Sequence, residues 1–213
     1  MREVYAKEEE KTSRITPERV FVVVGNKAKT EPFNLNDLAG SAGRMDILCR
    51  CIAQTLFISH GVRKNSAVII VLRGEPSPPK SVMVVGSEVK YMSPDERNIG
   101  GIIRKALSVK VGKEWVKSTP GVYVAKKDLK DVLEELKDYE KVYLKEGGED
   151  IRKVKFGRKV AFFLGDHIGL SKEDEKLIMS LADRVVSVSP LSLQADQCIV
   201  IVHNELDRIL LEE

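Results

Sequence analysis

The chain is poor in the residues that usually announce a chemistry. Its 213 residues include three histidines, three cysteines and one tryptophan. His60, His167 and His203 share no metal-ligand spacing and H-E-x-x-H is absent, which excludes a zincin reading. Each is read as a structural histidine satisfied by its surroundings. Cys49 and Cys51 form a C-x-C pair and Cys198 stands far away. That is neither a zinc spacing nor an even set for a disulfide framework, so reduced, buried thiols and no metal are expected. G-x-G-x-x-G and G-x-x-x-x-G-K-[ST] are also missing, which disfavours the common dinucleotide and P-loop folds. The longest apolar runs, 67-AVIIVL-72 and 198-CIVIV-202, are far too short to cross a membrane. The first nineteen residues lack the apolar stretch of a secretory signal, so a cytoplasmic protein is expected. No charge of one sign dominates: 35 basic against 32 acidic residues leave +3, so nucleic-acid binding would depend on clustering.

What is present is a regular alternation. With 43% hydrophobic and 31% charged residues the chain should fold and bury a substantial core. The polar stretch 1–19, with its KEEEK run, reads as an extension preceding a single domain over 20–213. Buried strands are expected at 20-VFVVVG-25, 67-AVIIVLR-73, 159-KVAFFLG-165 and 184-RVVSVS-189, with shorter ones at 82–85, 88–91, 118–126 and 141–146. Helical spacing appears over 44–59, 93–107, the stretch holding Leu129 to Leu136, the stretch capped by Ser171, and 194–211. Ser93 reads as the cap of the second of these, with Pro94 at its first position and Glu96 completing a capping box. Strands alternating with helices imply an α/β fold, a mostly parallel sheet with helices on both faces. In such sheets ligands sit beyond the carboxyl ends of the strands, here near Leu144, Gly165 and Ser189.

Three clusters fall where chemistry could be placed. In 40-GSAGRMDILCR-50 a glycine-rich loop precedes a helix whose first turns carry Arg44, Asp46 and Arg50; spacing alone reads Asp46 and Arg50 as an i,i+4 ion pair. In 94-PDER-97 the charges complement a helix N-terminus. Gly165, the loop 188-VSPLSL-193 and Cys198 make the third; such loops can enclose an adenine or a sulfonium amino acid with their backbone, but the residues alone read as a crossover loop and nothing more.

Read in order, VFVVVGNKA, LNDLAGSAGRMDILCRCI, SHGVRK, GEPSPPK, GSEVKYMSPDER, STPGVYV, GEDI, LGDHIGL, SPLSLQADQCI and VHNELDR resemble the archaeal tRNA (pseudouridine(54)-N1)-methyltransferase family. That family is part of the trefoil-knotted, SPOUT-like class of S-adenosylmethionine-dependent RNA methyltransferases. The resemblance runs from about Val20 to Arg208 and departs from the pattern at Asn26 and Ala39, where histidine and proline are expected. It implies a C-terminal trefoil knot, which sequence rules alone would not propose. It also implies a homodimer with the cofactor near the interface, tRNA as partner, and S-adenosylmethionine as cofactor. Leu144, Gly165, Val188, Ser189, Pro190, Leu191, Ser192, Leu193 and Cys198 match the family's cofactor contacts. Asp46 and Arg44 are the implied catalytic pair, Asp46 contacting or deprotonating the base, and Arg50, Asp95 and Arg97 the implied RNA contacts. The implied reaction methylates N1 of a pseudouridine, a C-glycoside whose N1 carries a hydrogen. Two other readings stay open: N1-methylation of a pseudouridine in small-subunit ribosomal RNA, and a non-catalytic RNA-binding or ribosome-assembly factor on the same fold.

Overall fold

The computed structural model describes residues 15–209. Strands β1 (Arg19–Gly25), β4 (Ser66–Leu72), β5 (Lys80–Val85), β6 (Val116–Thr119), β7 (Val122–Ala125), β8 (Glu140–Asp150), β9 (Val160–Gly165) and β10 (Arg184–Ser187) make one eight-stranded sheet. Its order is β10-β8-β9-β1-β4-β5-β7-β6. The first five in that order run parallel and the last three are added antiparallel. A two-residue hairpin, β2 (Phe57–Ile58) and β3 (Gly61–Val62), stands apart.

Alternation along the strands decides which helices lie where. Phe21 and Val23 of β1, with Val68, Ile70 and Leu72 of β4, face one core, shared with helices α1 (Met45–Leu56), α2 (Glu96–Leu107) and α5 (Ala195–Ile209). Val20, Val22 and Val24, with Ala67, Ile69 and Val71, face the other, closed by α3 (Leu129–Glu135) and α4 (Lys172–Leu181). Both faces are therefore buried, and the central strands read as continuous apolar runs for that reason. The expected α/β sheet with helices on both faces is what forms.

Several local expectations are corrected. Residues 15–19 belong to the packed body: Ile15 is buried, and the Tyr139 hydroxyl lies 2.9 Å from the Ile15 carbonyl and 2.6 Å from that of Pro17. The remainder of the polar extension, 1–14, and the expected helix end at 210–211 lie outside the described residues. Helix α1 stops at Leu56 rather than Ser59, because Phe57–Ile58 turn back against Gly61–Val62. Helix α2 is capped by Asp95 and not by Ser93: the Asp95 carboxylate accepts from the Asn98 N–H at 2.9 Å, so Pro94 stands before the cap. Residues 88–91 form no strand. The Val85 carbonyl accepts from both Glu88 and Val89 N–H, which turns the chain, and Tyr91 is left-handed at φ 64°. The expected Ser171 cap of α4 is present, accepting from the Asp174 N–H.

Candidate active site

The parallel half of the sheet opens on a cleft of about 830 Å³, beyond the carboxyl ends of β9 and β10 and beside the middle of β8. The ladder between β8 and β10 is irregular: Val185 pairs with Tyr143, but Val186 pairs with Glu149. The chain between Tyr143 and Glu149 thus bulges out, and Leu144, Lys145 and Glu146 become one wall. At the end of β9, Gly165 lies against the Gly169 backbone, where an added Cβ would come within 2.4 Å of the Gly169 carbonyl carbon. The turn 165–169 forms a second wall, and the loop 187–195 leading into α5 forms the third.

Of the residues implicated in cofactor binding, Leu144, Gly165, Val188, Ser189, Leu191, Ser192, Leu193 and Cys198 line this one cleft. Pro190 lies in the same loop but not on the lining. Cys198 is half-buried, and burial, with Asp196 beside it, pushes its thiol up to about 11, so it is a neutral thiol at physiological pH. Cys49 and Cys51 are free and buried, as the composition implied.

Arg44 and Arg50 also line the cleft; Asp46 lies beneath them, 8% exposed. The local backbone explains the arrangement. Gly43 is left-handed at φ 70° and lies so close to the Lys27 carbonyl that a Cβ would fall 1.8 Å from its oxygen. Arg44 follows, also left-handed at φ 64°, and begins α1 with no side-chain cap. The glycine-rich loop is thus a tight crossing of two chain segments, which delivers an arginine in a conformation that costs free energy. Arg44 Nε and Nη2 each donate to Asp46 at 3.0 Å, and Arg50 Nη1 donates to it at 3.2 Å. Burial alone would raise the Asp46 carboxyl, but the two guanidiniums outweigh it and hold it below the ordinary carboxylate range.

Arg50 is also approached by Glu96 of α2 at 3.2 Å and by Asp196 of α5 at 3.8 Å. Its pairing therefore goes well beyond the i,i+4 partner that spacing suggested. Asp196 Oδ1 is buried and has no hydrogen-bond partner among the described residues. Asp95 and Arg97 stand outside the cleft lining; Asp95 caps α2, and Arg97 Nη1 donates to Asn36 Oδ1 at 2.7 Å.

Sequence reasoning gave no role to Asp166 or Asn26 and read His167 as a structural histidine, whereas His167 is exposed at the cleft. Asp166 is buried, and its carboxylate accepts from the Asn26 and Ile168 N–H groups at 2.8 and 2.9 Å and from the Asn26 amide at 3.0 Å. The same amide donates to the Gly169 carbonyl at 2.8 Å, so Asn26 ties the end of β1 to the turn 166–169. His167 lines the cleft. The available signal was the G-D-H-I-G spacing at a strand end. His203, by contrast, is structural: Nε2 lies 3.0 Å from the Thr55 carbonyl and Nδ1 3.2 Å from Arg19. Among the described residues no group of His, Cys, Asp or Glu is placed to hold a metal, and no helix is long and apolar enough to cross a membrane.

The strand order is that of an α/β fold with its cleft at the parallel half, and a solved methyltransferase shares that fold. Archaeoglobus fulgidus Nep1 bound to S-adenosylhomocysteine superposes with a TM-score of 0.62 at 14% identity, over 91% of this chain and 99% of that one. Residues 18–211 match the model of the SAM-dependent RNA methyltransferase family, and the chain belongs to that family. It is 46% identical over 192 residues to the tRNA (pseudouridine(54)-N(1))-methyltransferase of Methanosarcina acetivorans, covering 89% of this chain and 91% of the relative. It is 43% identical over 199 residues to the protein of the same name from Methanocaldococcus jannaschii, covering 89% and 97%. The cofactor of this family, S-adenosylmethionine, fits the residues present. The cleft is of the size that takes a small molecule. Its walls combine apolar side chains (Leu144, Leu164, Leu193) with loop backbone, and Gly165 allows the turn to close.

Proposed function

We propose that this protein methylates N1 of the pseudouridine at position 54 of tRNA, giving N1-methylpseudouridine. The observation that carries the reading is that one cleft brings together the three loops matching the family's cofactor contacts with Arg44 of the GSAGRMD segment and Arg50 of α1. When bound, S-adenosylmethionine supplies a methyl group on an electrophilic sulfonium. Leu144, Gly165, the loop 188–193 and Cys198 would hold it; as a neutral thiol, Cys198 offers packing and a weak donor rather than a nucleophile.

The chain's own residues then have to orient the base and favour loss of its N1 proton, which passes to solvent water in the open cleft. Arg44 is the group suited to both. Its guanidinium borders the cleft, and its positive charge beside a base carbonyl stabilises the imide anion. Asp46 acts through it: both its oxygens are already engaged by Arg44 and Arg50, and a carboxylate held below its ordinary pKa is a weak base. This supports a positioning role for Asp46. Arg50 at the cleft and Arg97 on α2 are suited to the RNA backbone, while Asp95 serves it only by capping the helix that carries Arg97.

A homodimer through the C-terminal region is part of the proposal. Val200 on α5 is an exposed apolar group consistent with a covered face. So is a threaded C-terminal segment. The chain goes from β9 to β10 on the far side of β8, then returns as α5 to pack on α1 and the short turn Ile151–Lys153. A site of action in the cytoplasm follows from a tRNA substrate.

Purified protein, S-adenosylmethionine and tRNA carrying pseudouridine or uridine at position 54 test the reading by nucleoside mass spectrometry. Methylation of the first substrate alone is expected, since N1 of uridine is occupied by the sugar. No product on pseudouridine-54 tRNA, with product on a small-subunit ribosomal RNA fragment, would overturn it. Light scattering at micromolar concentration checks the dimer, and a monomeric mass would remove that part.

A further inference from the structure

Three non-glycine residues among those described adopt a left-handed backbone: Arg44, His60 and Tyr91. Two have local reasons. Arg44 is delivered into the cleft by the Gly43 crossing. His60 is the second residue of the two-residue turn between Phe57–Ile58 and Gly61–Val62, a position where a positive φ closes a type II reversal. Tyr91 has no such reason. It is a bulky aromatic at φ 64°, a conformation such residues rarely adopt, and it is the most exposed large hydrophobic side chain described, at 85%.

The residues around it are pinned. The Val89 N–H donates to the Val85 carbonyl at 2.9 Å, and the Gly121 backbone lies against it so closely that a Cβ there would meet Val89 N at 2.3 Å. Val89 and Met92 both pack on the core, and the Ser93 N–H donates to Asn98 Oδ1 at 2.8 Å. A single exposed aromatic is ordinary on a protein surface. One held outward by strained backbone between two partly buried residues that pack on the core contributes little to that core, and such strain persists where the surroundings enforce it for another purpose.

The location points to the purpose. The loop carries exposed Lys90 and runs directly into α2, whose first turn holds exposed Arg97. In that same turn Glu96 contacts Arg50, which lines the cleft. Chemistry on a base takes that base out of its stack, which leaves its neighbours with a bare face. An aromatic ring beside cationic side chains is the usual cover for an unpaired base.

We propose that Tyr91 is a stacking platform for an unpaired base of the RNA substrate, next to the nucleotide that enters the cleft. The proposal rests on the RNA methyltransferase reading above. Its test measures RNA binding and methylation separately, using a labelled pseudouridine-containing stem–loop. Tyr91→Ala should weaken RNA binding by roughly 5- to 100-fold, the range for one lost base–aromatic stack. Tyr91→Phe and Tyr91→Trp should stay close to wild type, and cofactor affinity should be unchanged in all three. With Trp115, the one native tryptophan, replaced by Phe, indole emission of Tyr91→Trp should be quenched when RNA is added. The RNA KM of Tyr91→Ala should rise while kcat holds. Wild-type protein that binds and methylates RNA, together with a Tyr91→Ala variant that binds RNA equally well, overturns this proposal alone. Wild-type protein that binds no RNA overturns both. Weakening equal in Tyr91→Ala and Tyr91→Phe also overturns it, because the ring would then not be the contact.

Discussion

Arg44 Nε and Nη2 reach Asp46 Oδ1 and Oδ2 at 3.0 Å each, so an arginine at the cleft is held, two bonds at a time, by a carboxylate underneath it. A two-point grip fixes the plane of the guanidinium as well as its place. It also explains why the AGRMD order matters: the left-handed residue must be the arginine, and the carboxylate must be in the first turn of the helix it begins.

If Asp46 positions Arg44, Asp46→Asn should leave cofactor affinity near wild type and lower kcat by about 10², as expected when a catalytic group is misplaced. The acidic limb of the pH–rate profile should keep its midpoint. Loss of that limb in the variant would make Asp46 the base, and a rate within about threefold of wild type would make it structural.

Gly165→Ala should damage the cofactor cleft specifically. The new methyl group would collide with the Gly169 backbone, which cannot move aside as a side chain can. Overpacking of this kind costs about 1–3 kcal/mol. Calorimetry should show cofactor affinity reduced about tenfold or more. Unchanged affinity would mean that the turn 165–169 has room to shift.

His203 should make stability depend on pH in a window of its own. Burial, followed by the nearby Arg63 and Arg19 charges, pushes the imidazole down to about 3 from 6.5. Below pH 6.5 the unfolded chain takes up a proton that the folded chain refuses. The contribution is thus complete above that pH and is lost as pH falls towards 3. Between pH 7 and pH 5 the loss should be about 2 kcal/mol by urea denaturation. His203→Gln, which keeps a donor for the Thr55 carbonyl, should be flatter over the same interval; an identical slope in the variant would clear His203.

Cys198 should resist alkylation. With its thiol near 11 rather than in the ordinary range, iodoacetamide at neutral pH should modify it roughly 100-fold more slowly than a free thiol, and more slowly still with cofactor present. Rapid, cofactor-insensitive labelling would place the sulfur outside the cleft.

The sheet was legible because both its faces are covered. Runs such as 20-VFVVVG-25 need no partner information to be recognised, and the clusters at Gly165 and Ser189 fall at strand ends where α/β sheets bind ligands. What stayed hidden depended on contacts between distant segments. Asn26 and Asp166 are joined across two neighbouring strands, and nothing near either one in sequence marks the pair. Ser93 reads as the cap from its spacing, and only the hydrogen bond from the Asn98 N–H shows that Asp95 caps α2 instead. The Leu144 to Gly148 bulge belongs to the ladder with β10, so its wall of the cleft is invisible in the local sequence.

The guanidinium of Arg50, met by carboxylates from α1, α2 and α5, has a consequence for the growing chain. Arg50 and its first partner are synthesised early, but Asp196 arrives with the last described helix, next to the loop that closes the cofactor cleft. Until that helix docks on α1, the nascent protein has neither a finished cofactor wall nor a settled arginine. The cofactor wall and the setting of Arg50 therefore depend on one and the same docking, that of α5 on α1.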